Sequence, residues 1–147
     1  MQMSSVEREE FVRDMRVAVL AVEDTGERAP LVTPIWYLYD GGVFSIVTER
    51  SQRKTQLIDA ARRFSLCMQS EQPPYRYVTV EGEIASIDPA RMDERRRLAH
   101  RYLGEELGEA YLTATQASYE DLVTVRMRPI RWSSVDYGKQ FTIESGP

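Results

Sequence analysis

The longest extended segment available to this chain spans residues 75–87, and its pattern limits the fold more than any other stretch. Val78, Val80, Gly82 and Ile84 share one face by strand periodicity, with polar residues between them. Gly82 interrupts that face, and a glycine inside a strand marks a bulge or a close approach by other backbone. A strand this long bends to serve two sheets or to close a barrel.

The segments around it are short and joined by turns. Ser4 and Glu7 form a capping box that opens a helix reaching about Met15, with Val6, Phe11 and Met15 as its buried stripe. Residues 16–23, nearly all Val, Ala and Leu, read as a strand covered on both faces. A turn at residues 23–26 leads to a partner strand over residues 30–39, in which Pro34 requires an edge or a bulge. Asp40-Gly-Gly42 is a hairpin turn into a strand at 43–48, so three strands are expected to form an antiparallel meander. A helix at 51–63 and a strand at 64–69 follow, ended by Gln72-Pro-Pro74. Asp88-Pro89 predicts a helix start, with Met92, Ala99, Tyr102 and Leu103 inward and Arg95, Arg96 and Arg97 outward. A helical hairpin is expected to continue through Gly108 to about Thr115. Strands at 122–127 and 131–135 close the pattern, and the polar tail from Asp136 to Pro147 is expected to be mobile or to lie on a partner subunit. Six or seven strands with turn-linked neighbours and helical insertions predict a small antiparallel barrel, mainly β in an α+β chain.

At 147 residues the chain fits one domain. A net charge of −4 argues against a general nucleic-acid or anionic-membrane surface. No run approaches the ~20 apolar residues of a membrane span. The first ten residues are too charged for a signal peptide, and a single cysteine suggests a reducing compartment, so a cytoplasmic location is expected.

Against that acidic background one local feature is basic. In Thr48-Glu-Arg-Ser-Gln-Arg-Lys-Thr-Gln-Leu57, Arg50, Arg53 and Lys54 gather where a helix begins. A helix N-terminus carries partial positive charge and unpaired N–H donors, so cations there call for an anion. A bound phosphate answers this, held with the hydroxyls of Thr48, Ser51 or Thr55. By charge pattern alone the plainer answer is a solvated loop whose basic groups reach Glu49 or Asp59. No other chemistry stands out. His100, the only histidine, sits among arginines on a helix surface, and Cys67 reads as a small core residue. No metal-ligand spacing, catalytic triad or P-loop is present, and Glu81 and Glu83 fit a solvated strand face. Reactive chemistry would have to come from a bound cofactor.

The stretch Val43-Phe-Ser-Ile-Val-Thr-Glu-Arg-Ser-Gln-Arg-Lys54, followed by Leu57-Ile58 and Phe64-Ser-Leu-Cys67, resembles the pyridoxamine-phosphate-oxidase-like split-barrel family. Pro34-Ile-Trp36 before it and Pro74-Tyr-Arg-Tyr-Val-Thr-Val-Glu-Gly82 after it extend the likeness over residues 16–87, toward the branch using FMN or the deazaflavin coenzyme F-420. Arg126-Met-Arg-Pro-Ile-Arg-Trp132 is similar to the family's final strands.

The resemblance implies an FMN-binding type of split barrel. In it Val47 and Thr48 contact the ring system and ribityl chain, and Arg53 and Lys54 bind the phosphate. Tyr77 reaches the cofactor from a neighbouring strand, and Pro34, Ile35 and Trp36 line the ring pocket, with a core aromatic as the rival reading of Trp36. It also implies a homodimer with the cofactor in the interface and a small-molecule substrate. The basic residues of true pyridoxamine-phosphate oxidases on the strand matching residues 32–37 are missing, as is their Arg-x-His near the C-terminus, so that oxidase activity is not expected. An F-420-dependent reductase is the leading expectation, whose acidic coenzyme tail would find Arg50, Arg53, Lys54 and Arg76. An FMN-dependent oxidase or reductase, and a non-enzymatic flavin or haem carrier, are the alternatives.

Overall fold

The computed structural model describes residues 1–139. In chain order the elements are α1 (Ser5–Arg13), β1 (Ala18–Val22), β2 (Leu31–Ile35), β3 (Leu38–Asp40), β4 (Val43–Glu49), α2 (Arg53–Ala61), β5 (Arg63–Gln69), β6 (Arg76–Pro89), α3 (Met92–Ala114), a 3-10 turn (Gln116–Asp121) and β7 (Leu122–Asp136). Seven antiparallel strands form one sheet in the order β2-β1-β5-β6-β7-β4-β3. The two edge strands, β2 and β3, are therefore neighbours in the chain, separated only by Trp36 and Tyr37. Three residues of chain span at most ~10 Å. The sheet has to roll until its edges come within that distance, and it stays open there as a split barrel.

This overturns the expected meander. Residues 30–39 are two strands on opposite edges, β2 paired with β1 and β3 with β4. The break has a local cause. The Tyr37 N–H donates to the hydroxyl of Tyr102 on α3 (3.1 Å) in place of a strand partner. That hydroxyl in turn donates to the Arg16 carbonyl (2.6 Å), and the buried Tyr37 hydroxyl donates to the Val12 carbonyl (2.7 Å). Pro34 lies on the β2 edge, as its missing N–H requires.

Inward residues from every layer fill the barrel, among them Leu20, Phe44, Ile46, Leu66, Val80 and Val125, with Phe11, Val12 and Ile58 from the helices. Only one face of β1 is covered: Val17 and Val19 remain 50% and 39% exposed, so the expectation of cover on both faces fails within this chain. In α1, Phe11 and Val12 are buried while Val6 and Met15 are exposed, because the helix ends at Arg13 and Asp14 turns the chain into extended backbone.

Gly82 fulfils both readings of a strand glycine. The register between β6 and β7 shifts there, with Glu81 opposite Arg131 and Gly82 opposite Pro129, leaving Ile130 as the extra residue. A Cβ at Gly82 would fall on the Met127 side chain and 2.7 Å from the Arg128 carbonyl oxygen. Pro129 sits in this bulge, where its lack of an N–H removes no needed ladder bond, so residues 122–136 run as a single strand and not as the two expected.

The helix start expected at Asp88-Pro89 is displaced. Both residues stay in β6, facing Thr124 and Val123, and the Ala90 N–H bonds to the Leu122 carbonyl. The helix begins at Met92 and turns at Gly104 (φ +82°), giving the expected hairpin, in which Gly108 packs on Ala99 and His100. Arg95, expected outward, is 5% exposed and donates to the Thr115 hydroxyl (2.9 Å). The tail expectation beyond residue 139 lies outside the described residues.

Two substitutions test this framework by urea denaturation. Tyr102→Phe leaves the Tyr37 N–H and Arg16 carbonyl short of a partner and should cost ~1–3 kcal/mol. Gly82→Ala should cost a similar ~1–3 kcal/mol through overpacking against β7.

Candidate functional site

The basic stretch forms a tight connection between β4 and α2. The Arg50 N–H bonds to the Asp121 carbonyl (2.7 Å), and the Ser51 hydroxyl donates to the Asp121 carboxylate (2.6 Å). Gln52 then takes the cap position in extended backbone, with no side-chain cap and no acidic residue in the first turn of α2. Thr55 is buried and donates its hydroxyl hydrogen to the Glu49 carbonyl (2.6 Å). Thr48, 4% exposed, lies 3.0 Å from the Thr55 oxygen and must be the donor in that pair, since Thr55 has no second hydrogen to give. The Thr48 hydroxyl thus locks the strand to the helix, a role its residue type did not reveal.

The two cations expected to hold phosphate differ in state. Lys54 is half-buried and makes no hydrogen bond or ion pair among the described residues. Desolvation depresses its ammonium below the ordinary lysine range, partly offset by the charge of Glu49. Arg53 is paired with Asp24, in the loop after β1, whose side chain is 8% exposed. Neither rival partner for the site cations is engaged by an ion pair to Arg53 or Lys54; Asp59 instead takes Arg62 (2.8 Å). Arg50 and Arg76 make no ion pair among the described residues.

The remaining candidates lie apart from one another. Val47 is half-buried on the outer side of β4, opposite Thr124. Tyr77 is half-buried on β6 between Gln69 and Val135. Ile35 packs against the core, and Pro34 is exposed. Trp36 stacks on Tyr102 (centroids 4.9 Å apart, planes at 3°) and tilts against Tyr111 (5.5 Å), so the α3 hairpin holds its ring.

A cleft of 1710 Å³ runs beside β1 and β2, lined by Met15, Val17, Val19, Pro34, Cys67 and Arg76 among others. Of the eight candidate residues only Pro34 lines it. Asp24 lies five residues beyond Val19, on the order of 15 Å along an extended chain. The start of α2 and this cleft therefore occupy opposite ends of β1, and one chain does not gather the candidates around a single pocket.

Other residues resolve plainly. Cys67 is half-buried on the outer face of β5, paired with Val19 and Thr79, and is not a core residue. Glu81 and Glu83 pair with Arg131 and Arg128 (3.3 and 2.8 Å) as a solvated strand face. His100 is half-buried with Nε2 3.8 Å from Glu109. Among the described residues no cluster of His, Cys, Asp and Glu could hold a metal, and no helix is long and apolar enough to cross a membrane. The residue missed by sequence reasoning is Asp24, which showed only as part of a turn.

A family model described as pyridoxamine 5'-phosphate oxidase matches residues 4–135. Solved structures share the fold. A conserved hypothetical protein of Mycobacterium tuberculosis is 24% identical with a TM-score of 0.75, over 95% of this chain and 88% of that one. An F-420 reductase is 21% identical with a TM-score of 0.63, over 85% and 94%. A FAD-binding protein from Mesorhizobium loti is 18% identical with a TM-score of 0.65, over 91% and 93%. No curated protein matches by sequence.

Lys54→Met checks the unpaired cation. In phosphate-free buffer near neutral pH the variant should melt about 1–3 °C higher than the parent, a modest gain because the group is partly solvated. The folded-state pKa of Lys54 lies below its unfolded value of ~10.4, so the parent's handicap fades as pH rises through that window. Millimolar inorganic phosphate should raise the melting temperature of the parent and not that of the variant.

Proposed function

The chain belongs to the pyridoxamine 5'-phosphate oxidase family, and from that premise we propose that it is an oxidoreductase that binds a phosphorylated deazaflavin, coenzyme F-420, and reduces a small organic substrate. The observation that carries this reading is Lys54, a half-buried ammonium with no partner among the described residues, at an uncapped helix start with no acid in its first turn. Such a terminus supplies N–H donors and partial positive charge to a phosphate. Lys54 would take one phosphate oxygen, and Arg53 would offer the donors that Asp24 leaves free. The Thr48–Thr55 bond keeps the strand end and the helix start in fixed relation, so that the phosphate and the ring keep a set spacing along β4. The coenzyme, when bound, supplies hydride chemistry, and no side chain has to act as a strict acid or base.

The outer face of β1 supports a second copy of the chain as the partner. Val17 and Val19, with Val32 on β2, form an exposed apolar strip beside the cleft. Pro34 and Tyr77 face outward on different strands, and in a homodimer residues of both protomers would line the cofactor site. Arg50 and Arg76, unpaired among the described residues, would receive an acidic coenzyme tail. The solitary cysteine fits work in the cytoplasm.

FMN satisfies the same Lys54 argument and is the second reading. Fluorescence titrations with both cofactors separate the two by affinity. Replacing Arg53 and Lys54 together by Ala should weaken binding of the preferred cofactor by ~2–4 kcal/mol while the far-ultraviolet circular dichroism stays unchanged. Unchanged affinity would place the phosphate elsewhere and end this reading.

A further inference from the structure

The ion pair between Arg53 and Asp24 alters what the start of α2 can hold. Asp24 has an 8% exposed carboxylate, and Arg53, 47% exposed, is its ion-pair partner among the described residues. Pulling Arg53 away onto a ligand would leave a nearly buried carboxylate uncompensated, which is unfavourable. Arg53 therefore stays on Asp24, and its guanidinium, with five N–H donors, can still turn others toward a ligand. Its hydrogen bonds remain available while its charge is already matched.

Two further carboxylates lie close by. Glu49 acts on the Lys54 ammonium, and Asp121 accepts from Ser51. The three cations of this stretch, Arg50, Arg53 and Lys54, are thus matched in number by Asp24, Glu49 and Asp121, and the helix terminus adds about half a positive charge. A ligand with one negative charge balances that field. One with two leaves an excess charge in a partly desolvated place.

We propose that Asp24 is a specificity-determining residue, holding Arg53 so that the α2 site takes a singly charged phosphodiester in preference to a doubly charged phosphomonoester. This rests on the phosphate reading above and deepens it. The twice-esterified phosphate of coenzyme F-420 carries one charge, whereas that of FMN, with a second ionisation near pH 6, carries close to two at neutral pH.

The test uses three flavins that share one ring: riboflavin, FMN, and the methyl phosphodiester of FMN, each titrated at pH 7.5 into the full chain by fluorescence. The parent protein should bind the methyl diester more tightly than FMN, and both more tightly than riboflavin. Asp24→Asn keeps an oxygen for Arg53 and removes the charge, and it should shift the FMN-to-diester affinity ratio about tenfold toward FMN. Asp24→Ala should shift the ratio in the same direction, which guards against a defect peculiar to the amide. A ratio that stays fixed, with both ligands weakened equally, would show that Asp24 only orients Arg53 and would overturn the proposal. Failure of the underlying reading looks different: FMN and the diester would bind no better than riboflavin in the parent, or their advantage would survive Arg53→Ala combined with Lys54→Ala.

Discussion

One hydroxyl group sits where the whole barrel is decided. Tyr102, on α3, accepts the Tyr37 N–H and donates to the Arg16 carbonyl, at the point where the chain leaves one margin of the sheet and joins the other. Strand pairing alone would let residues 30–39 continue as one ribbon. By removing Tyr37 from the ladder, this bond ends β2, starts β3 on the far side, and rolls seven strands around a core built on Phe44, Leu66 and Val125. Stacking of Trp36 on the same ring makes the α3 hairpin part of the seam.

The parts of this fold written in local chemistry were readable in the sequence. The Ser4–Glu7 box, the Asp40-Gly-Gly42 turn and the edge placement of Pro34 each follow from one backbone requirement and appear as expected. The break at Trp36–Tyr37 was not readable, because its cause is 65 residues away in the chain, and tertiary hydrogen bonds leave no periodic trace. Asp88-Pro89 misled for a related reason. Its capping signal is real, but pairing with β7 outcompetes it. Residues 16–23 read as covered on both faces because nearly all of them are apolar, yet Val17 and Val19 stay exposed, and composition does not say which face a strand turns to the core.

The site divides in the same way. The cluster of cations at α2 was legible from charge alone, and Lys54 has no hydrogen-bond or ion-pair partner there among the described residues. What composition could not show is that Arg53 already has one. Asp24 sits in a turn remote in sequence, and only folding carries it to the helix start. The spread of Pro34, Tyr77 and Lys54 over separate surfaces was likewise invisible, since a motif specifies residue types along a chain and not where folding carries them.

An open barrel has two free margins, and free margins invite further strands. A sheet that never closes is a template for end-to-end growth into fibres unless something blocks its unpaired amides. Here β3 is only three residues long and offers little to copy, while Pro34 removes an amide hydrogen from the other margin. The gap needed to let the chain cross between edges is thus guarded by one ring and one short strand, and a β-branched residue in place of that proline would restore an amide hydrogen to an edge that another strand could copy.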